Sequence, residues 1–244
     1  MRLPAVSGVI RRRILVNFNV DPGVMQAQVP APFEPKLHAG RAVAGVCLIR
    51  LEQIRPKGLP AVVGVSSENA AHRVAVTWTD DDGRELEGVF IPRRDTDSHI
   101  TTLLGDRVFS GEHHAARFRV EDEGPGGRVE LSMTSRDGTA AVAVQGHTAD
   151  ALPAGSVFTS VAEASAFFEA GSLGYSATKE GHRLNGLRLE TRSWHVDPLG
   201  VRRASSSWLE DTSRFPSGSV EFDNALIMRD VTHEWHEADE LYTG

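Results

Sequence analysis

Residues 72–91 read HRVAVTWT-DDDG-RELEGVFI, and this stretch indicates the fold class. Its first part alternates polar and apolar side chains, with Val74, Val76 and Trp78 on one face, which is typical of a β-strand with one buried face. The DDDG segment is a turn signal, and the residues after it favour a return strand. We therefore predict a β-hairpin over this stretch.

The same period of two recurs along the chain, and turn-forming residues separate the runs. A Gly-Pro-Gly-Gly segment at 124–127, for example, predicts the loop of a second hairpin. Besides the hairpin at 72–91, strands are predicted at 41–54, 114–121, 128–134, 139–147, 187–195, 201–209 and 220–228.

Two helices are predicted among these strands. One covers about 97–104, and the other covers about 161–170. At the second, Ser160 and Glu163 match a capping box, in which each side chain bonds the backbone N–H of the other residue. Gly171 is expected to end this helix in the left-handed conformation.

Many strands with few helices leave unpaired edges unless the sheet closes. We therefore predict a mainly β fold, a closed or cone-like antiparallel β-barrel with a few short flanking helices. Barrels of this kind often enclose a small-molecule cavity. No repeat, low-complexity segment or linker divides the sequence, so we interpret residues 1–244 as one domain.

The composition is that of a globular protein. Charged residues make up 24% of the chain, the net charge is −7, and the one basic run is Arg11-Arg12-Arg13. Because a nucleic-acid-binding protein usually carries a basic face or tail, we predict no nucleic-acid partner. No run approaches the roughly 18 apolar residues that span a bilayer, and we recognise no signal peptide. The expected location is the cytoplasm, without a membrane partner.

Two scarce residue types limit the chemistry. Cys47 is the single cysteine, so no disulfide can form within the chain. Its apolar neighbours favour a buried structural thiol over a nucleophile. Lysine occurs only at Lys36, Lys57 and Lys179, so Schiff-base chemistry would have to use one of these three residues.

Several short motifs resemble a known family. In chain order they are SEN at 67–69, GVFIP at 88–92, GDR at 105–107, GEHH at 111–114, GSLGYS at 171–176, the segment 215–222 and HEWH at 233–236. Together they resemble the acetoacetate decarboxylase-like superfamily and, within it, an uncharacterised bacterial family. The resemblance covers most of the chain and implies a β-cone or barrel around a deep pocket.

In the decarboxylase, a pocket lysine forms a Schiff base with a β-keto acid, and a neighbouring cation lowers the pKa of that lysine. The matching stretch here, residues 105–114, contains no lysine. Glu112, His113 and His114 occupy that neighbourhood. Histidine cannot form the imine, so the family's mechanism is not expected to apply.

The resemblance also implies candidate site residues. Glu68 matches the decarboxylase's pocket glutamate, and Arg107 matches its arginine. Glu68 and His72 are four apart on an extended segment and can share a face, and a carboxylate that orients an imidazole is a common catalytic pair. Arg93 and Arg94 follow the strand that ends at Pro92, and a guanidinium there could hold a substrate carboxylate, or it could pair with Asp95 or Asp97 in a solvated turn.

The pair His113-His114 leaves two readings open. Adjacent residues on a strand point to opposite faces, so Glu112 and His114 would share one face and His113 the other. An imidazole in the pocket could act as acid or base near neutral pH, whereas the alternative is a polar strand start in solvent. The catalytic candidates are Glu68, His113 and His114, and the substrate-binding candidates are His72, Arg93, Arg107 and Glu112.

Other motifs favour ordinary structural roles. HEWH at 233–236 is one residue shorter than the zinc-protease pattern, and Trp235 within it is expected to pack. The Ser-x-x-Lys match at 176–179 lies in a loop bounded by glycines, away from the helix that this motif requires. No phosphate loop or dinucleotide fingerprint is present. We therefore predict no cofactor and no metal.

Two functions remain open. The first is a small-molecule pocket enzyme that uses acid–base chemistry on a keto acid or related carbonyl compound, as a lyase, hydratase or isomerase without a Schiff-base lysine. The second is a non-catalytic small-ligand-binding protein that kept the barrel cavity. In both, the expected ligand is a carbonyl or carboxylate compound, and self-association into a homo-oligomer is compatible with either.

Overall fold

The computed structural model describes residues 5–98 and 111–243. These residues form a 13-stranded sheet, which confirms the predicted mainly β fold. The strands are β1 (Val6–Val20), β2 (Glu34–Pro35), β3 (Leu37–His38), β4 (Arg41–Pro56), β5 (Val65–Thr79), β6 (Glu85–Thr96), β7 (His113–Asp122), β8 (Arg128–Ser135), β9 (Ala141–Thr148), β10 (Leu173–Ala177), β11 (Arg183–Thr191), β12 (Asp197–Ser206) and β13 (Val220–Tyr242).

Helices are few and short in the described ranges. α1 (Pro22–Gln26) begins after Asp21, whose carboxylate accepts hydrogen bonds from the first-turn backbone. α2 (Val161–Ala170) lies between β9 and β10, and a 3₁₀ turn (Ala61–Val63) joins β4 to β5. None of the helices described is long and apolar enough to cross a membrane.

The start of α2 follows the predicted capping box only in part. Ser160 Oγ accepts a hydrogen bond of 3.1 Å from the Glu163 N–H. The Glu163 carboxylate bonds Thr159 instead of Ser160, at 2.6 Å to both the backbone N and the hydroxyl. The predicted left-handed stop is wrong, because Gly171 has φ −76°. A Cβ there would lie 3.3 Å from the Val89 side chain, so close packing on β6 accounts for the glycine.

The sheet closes on itself. A first ring runs β5–β6–β7–β8–β9–β12–β13–β1–β4 and returns to β5. The predicted closure is thereby confirmed. An apolar core fills the ring and includes Val16, Val46, Val74, Leu131 and Ile227.

Two further strands create a second closed path. β10 pairs with β6, β11 pairs with β10, and β11 also pairs with β13. A second ring therefore runs β4–β5–β6–β10–β11–β13–β1. The two rings have β13, β1, β4, β5 and β6 in common, and the central three of these strands, β1, β4 and β5, form a shared wall between them. The core of the second ring contains Leu15, Cys47, Ala71, Ile91 and, from α2, Phe168. β6 pairs in parallel with both β7 and β10, a departure from the wholly antiparallel prediction.

The shared wall is apolar on both faces. In β4, Ala44 and Val46 belong to the first core, whereas Val43 and Cys47 belong to the second. A strand buried on both faces shows a continuous apolar run instead of an alternating one. The run AVAGVCLI at 42–49 has this form, and it places neighbouring residues in different compartments.

Sequence patterns located most strands and missed others. β1 and β10 were not predicted, and β13 continues to Tyr242, well beyond the predicted end at 228. Three arginines and two asparagines interrupt the apolar pattern of β1, and their partners are distant in sequence: Asn17, for example, bonds Asn224 at 2.8 Å. Of the helix predicted at 97–104, only residues 97 and 98 are described, and neither is helical.

Candidate functional site

A narrow cavity of about 60 Å³ lies on the second-ring side of the shared wall. Residues of β4, β5, β6, β11 and β13 line it, together with the first residue of β7. The described lining residues are Cys47, Ile49, Leu51, Ile54, Val65, Ser67, Asn69, Ala70, Ala71, Arg94, Asp95, His113, Leu187 and Trp235.

Arg94 supplies the positive charge of this cavity. Its Nε donates a hydrogen bond of 2.9 Å to Ser176 Oγ on β10. No carboxylate in the described ranges forms an ion pair with its guanidinium. Burial lowers the pKa of Arg94 to about 10, and the sulfur of Cys47 opposes this shift. The group is therefore charged at neutral pH and attracts an anion.

His113 lies beside Arg94, because β6 and β7 pair in parallel with these two residues in register. Its Nδ1 is 3.0 Å from the Gly111 carbonyl oxygen. A carbonyl only accepts hydrogen bonds, so Nδ1 carries the proton and Nε2 the lone pair. Burial, and next the charge of Arg94, lower the pKa of His113 to about 3. The imidazole is neutral at pH 7.

Cys47 lines the cavity on the β4 side and is buried. Its Sγ accepts a hydrogen bond of 3.0 Å from Arg13 Nε. Ser67 and Asn69 follow along β5, where Asn69 Nδ2 donates to Ser67 Oγ at 2.9 Å. Most of the remaining lining is aliphatic or aromatic, and the charged group that faces the cavity, Arg94, lies at one end of it.

Glu68 lies on the opposite face of β5, with the first core. Arg12 Nη2 donates a 2.8 Å hydrogen bond to its carboxylate. The same arginine reaches Asp122 at 3.3 Å, and Arg229 bonds both oxygens of Asp122 at 2.8 and 2.7 Å. Burial raises the pKa of Glu68 above its usual value, and Arg12 offsets only part of that shift. The cluster is an internal network of ion pairs.

His72 also faces the first core and is fully buried. Its Nε2 is 3.1 Å from Ser206 Oγ on β12, and its ring lies edge-on to Trp208. Burial, with a smaller contribution from the charge of Arg93, lowers the pKa of His72 to about 4. Glu68 and His72 thus share a face, but each has a different partner.

Arg93 and His114 form a third polar group on this face. The guanidinium of Arg93 donates two hydrogen bonds of 2.9 Å to the carboxylate of the fully buried Asp95. Asp137 lies 3.4 Å from both Arg93 and His114 Nδ1. The guanidinium of Arg93 is therefore already occupied by carboxylates of the protein, unlike that of Arg94.

The structure thus separates the residues that the sequence grouped. Of the predicted catalytic set, His113 lines the cavity, whereas Glu68 and His114 lie on the other face. Glu112 is half-buried and is absent from the described lining, and Arg107 lies outside the described residues. Arg94 was considered together with Arg93, but only Arg93 was kept as a candidate, and Cys47 was interpreted as structural. The two-residue alternation of β6 was the available signal, since it sends Arg93 and Arg94 to opposite faces.

The HEWH segment lies on β13, not on a helix. Trp235 lines the cavity, and His233 is buried against it, with ring centroids 4.4 Å apart. Among residues 5–98 and 111–243, no group of three or more His, Cys, Asp or Glu side chains is placed to hold a metal ion.

A model of the DUF2071 family, described as an uncharacterized conserved protein, matches residues 9–221. The chain belongs to this family. No curated protein matches this DUF2071 member. Its family and fold confirm the resemblance inferred from the sequence motifs.

Solved structures show which fold this DUF2071 member shares. An acetoacetate decarboxylase-like enzyme from Sphingomonas wittichii RW1 is 13% identical with a TM-score of 0.59, over 100% of this chain and 94% of that one. Acetoacetate decarboxylase from Legionella pneumophila is 13% identical with a TM-score of 0.58, over 98% and 88%. MppR, an enduracididine biosynthesis enzyme complexed with the condensation product of pyruvate and imidazole 4-carboxaldehyde, is 12% identical with a TM-score of 0.57, over 99% and 90%. At these identities the likeness is one of fold.

The buried His72 predicts a loss of stability in acid. Its folded-state pKa of about 4 lies below the usual value of 6.5, so from pH 6.5 down to 4 the unfolded chain binds a proton that the native state does not. Stability is retained above pH 6.5, and roughly 3 kcal/mol from this residue is lost across that range.

In His72→Gln, the free energy of unfolding, measured by urea titration, should fall less steeply over the same range. His195→Gln, at an exposed site, should parallel the wild type. If the free energy of unfolding of His72→Gln fell with pH as steeply as that of the wild type, the low pKa of His72 would be contradicted.

Proposed function

We propose that this protein binds a small carboxylate- or carbonyl-containing compound in the cavity beside Arg94 and His113, and acts on it by acid–base chemistry. One observation carries the proposal. A buried guanidinium without a carboxylate partner in the described ranges faces an apolar cavity, next to a neutral imidazole. A desolvated arginine of this kind favours a ligand that supplies the missing negative charge.

The carboxylate of the ligand would accept hydrogen bonds from the guanidinium of Arg94. This contact would fix the adjacent carbonyl and its α-carbon within reach of the His113 ring. It would also offset the positive charge that helps to hold the pKa of His113 low, so the imidazole becomes a stronger base when the ligand is bound.

His113 Nε2 would then remove a proton from the α-carbon. The C–H bond breaks, its electron pair moves toward the carbonyl oxygen, and the proton is held on Nε2. Return of that proton to another position completes an isomerisation, and loss of a leaving group from the neighbouring carbon gives lyase chemistry. We assign no step to Glu68 or His114, because their side chains lie on the opposite face of the sheet.

A Schiff-base mechanism does not fit this cavity. All three lysines of the chain lie in the described ranges, and none lines the cavity. Lys36 and Lys57 form ion pairs with Glu87 and Glu234 at 2.5 and 2.8 Å. The solved structures that share the fold support a small-molecule pocket, while the reaction of the decarboxylase needs an amine that is absent here.

A non-catalytic ligand-binding protein is the second candidate. The mainly apolar lining favours it, since binding sites are often apolar with a few placed polar groups. Both candidates place the ligand at Arg94, and they differ in whether His113 moves a proton.

Borohydride trapping should give no adduct. The protein is incubated with a panel of 2-oxo and 3-oxo acids, reduced, and weighed intact, and its mass should remain unchanged because no lysine lines the cavity. An acetoacetate decarboxylase treated in parallel confirms that the reagents work. An adduct mapped to Lys36, Lys57 or Lys179 would overturn the claim.

Arg94→Gln should weaken binding of carboxylic acids about 10- to 100-fold, since hydrogen bonds to a charged group contribute roughly 1.5–3 kcal/mol. Isothermal titration calorimetry with the same panel measures the change. Arg203→Gln removes an exposed arginine that does not line the cavity and should leave affinity unchanged. Equal affinities for the wild type and Arg94→Gln would refute the site.

Proton transfer by His113 should be visible as deuterium exchange. For an acid from the panel that binds, the wild type in D₂O should accelerate exchange of the α-proton, followed by NMR. His113→Gln should lose at least 100-fold of that rate and keep its affinity within a few fold, and His195→Gln should match the wild type. Binding without exchange in the wild type would reject the enzyme and leave the ligand-binding protein.

A further inference from the structure

The cavity is long as well as apolar. Its polar end is fixed by register, because Ala71 pairs with Arg94 on one side and with Cys47 on the other. The opposite end is marked by Val65 and Ile54, which are also paired. Six residues separate Ala71 from Val65 on β5, and at about 3.3 Å per residue the lining extends for roughly 20 Å.

Along β4, apolar side chains line this path away from Arg94, and β5 adds Asn69 and Ser67 opposite them. Ile49 and Leu51 follow Cys47 along β4 and lead to Ile54. Leu187 on β11 and Trp235 on β13 complete the wall. A two- or three-carbon acid held at Arg94 would leave most of these side chains facing water.

The apolar surface continues outside the cavity. Between β4 and β5, Leu59, Val62 and Val63 are 48%, 89% and 55% exposed, and Val65 is 38% exposed while also lining the cavity. Seven large hydrophobic side chains are exposed in the described ranges, and these are four of them. The exposed apolar surface is therefore concentrated where the cavity ends, away from its charge.

We infer that the ligand is an amphipathic monocarboxylic acid with an extended alkyl or arylalkyl group. Its carboxylate lies at Arg94, and its apolar chain follows β4 and β5 toward the loop at 59–65. This inference rests on the proposed function, because it uses Arg94 as the anion site. It adds that the apolar part of the ligand, and not the acid group alone, provides much of the affinity.

Chain length is the decisive variable. Each methylene transferred from water into the cavity should tighten binding about fourfold until the lining is filled. The test measures dissociation constants by calorimetry for straight-chain monocarboxylates from acetate to tetradecanoate, below their micelle concentrations. Matching primary alcohols, which keep the chain and lack the charge, should bind at least tenfold more weakly than the acids.

Three variants separate the contribution of the apolar cavity wall to affinity from that of the Arg94 charge. Ile49→Gln places a polar group on the cavity wall and should reduce the gain per methylene. Leu37→Gln is the matched control, because Leu37 is 50% exposed and does not line the cavity. Arg94→Gln should weaken acids of all lengths by a similar factor and leave the alcohols unaffected.

The outcomes distinguish the two proposals. Acids that bind through Arg94 without any dependence on chain length would overturn the amphipathic ligand and leave the proposed anion site standing. A chain-length dependence that Arg94→Gln does not alter would overturn the anion site. Failure of every acid to bind the wild type would overturn both.

Discussion

The wall formed by β1, β4 and β5 is buried on both faces, and the other features of the molecule depend on it. Each of its strands contributes alternate side chains to two compartments, since successive residues on a strand point in opposite directions. One compartment is filled by the larger core, and the other holds α2 and the cavity. Closing the sheet twice through the same wall leaves its central strands without free edges, and it fixes which residues can meet.

This wall gives neighbouring residues opposite roles. Arg93 turns toward the first core and binds Asp95, whereas Arg94 turns toward the cavity and donates a hydrogen bond to the neutral Ser176. His113 and His114 are divided in the same way, with His113 beside Arg94 and His114 beside Asp137. Charges on the first-core side are compensated within the protein, whereas no carboxylate of the described ranges pairs with Arg94, and in our proposal a ligand supplies that negative charge.

The fold and the chemistry therefore have separate origins. The architecture is shared with acetoacetate decarboxylase-like enzymes at 13% identity or less, which is enough for the fold and too little to carry a mechanism. In this chain, an arginine and a histidine line the polar end of the cavity, and none of the three lysines lines it.

The sequence by itself determined the strand-rich fold class, the hairpin at 72–91, the body of α2 and the absence of a lysine from the stretch 105–114. These depend on local periodicity, on turn residues and on residue identity, which can be read without knowing the partner strands. The family resemblance also came from short motifs in the sequence.

Only the tertiary structure decided that His113 and Arg94 share a cavity and that Glu68, His72 and Arg93 do not. Those assignments depend on strand register, on the parallel pairing of β6 with β7 and on the closure of a second ring through β10 and β11. Register follows from the packing of the whole sheet, and a shift of one residue would exchange the two faces of a strand.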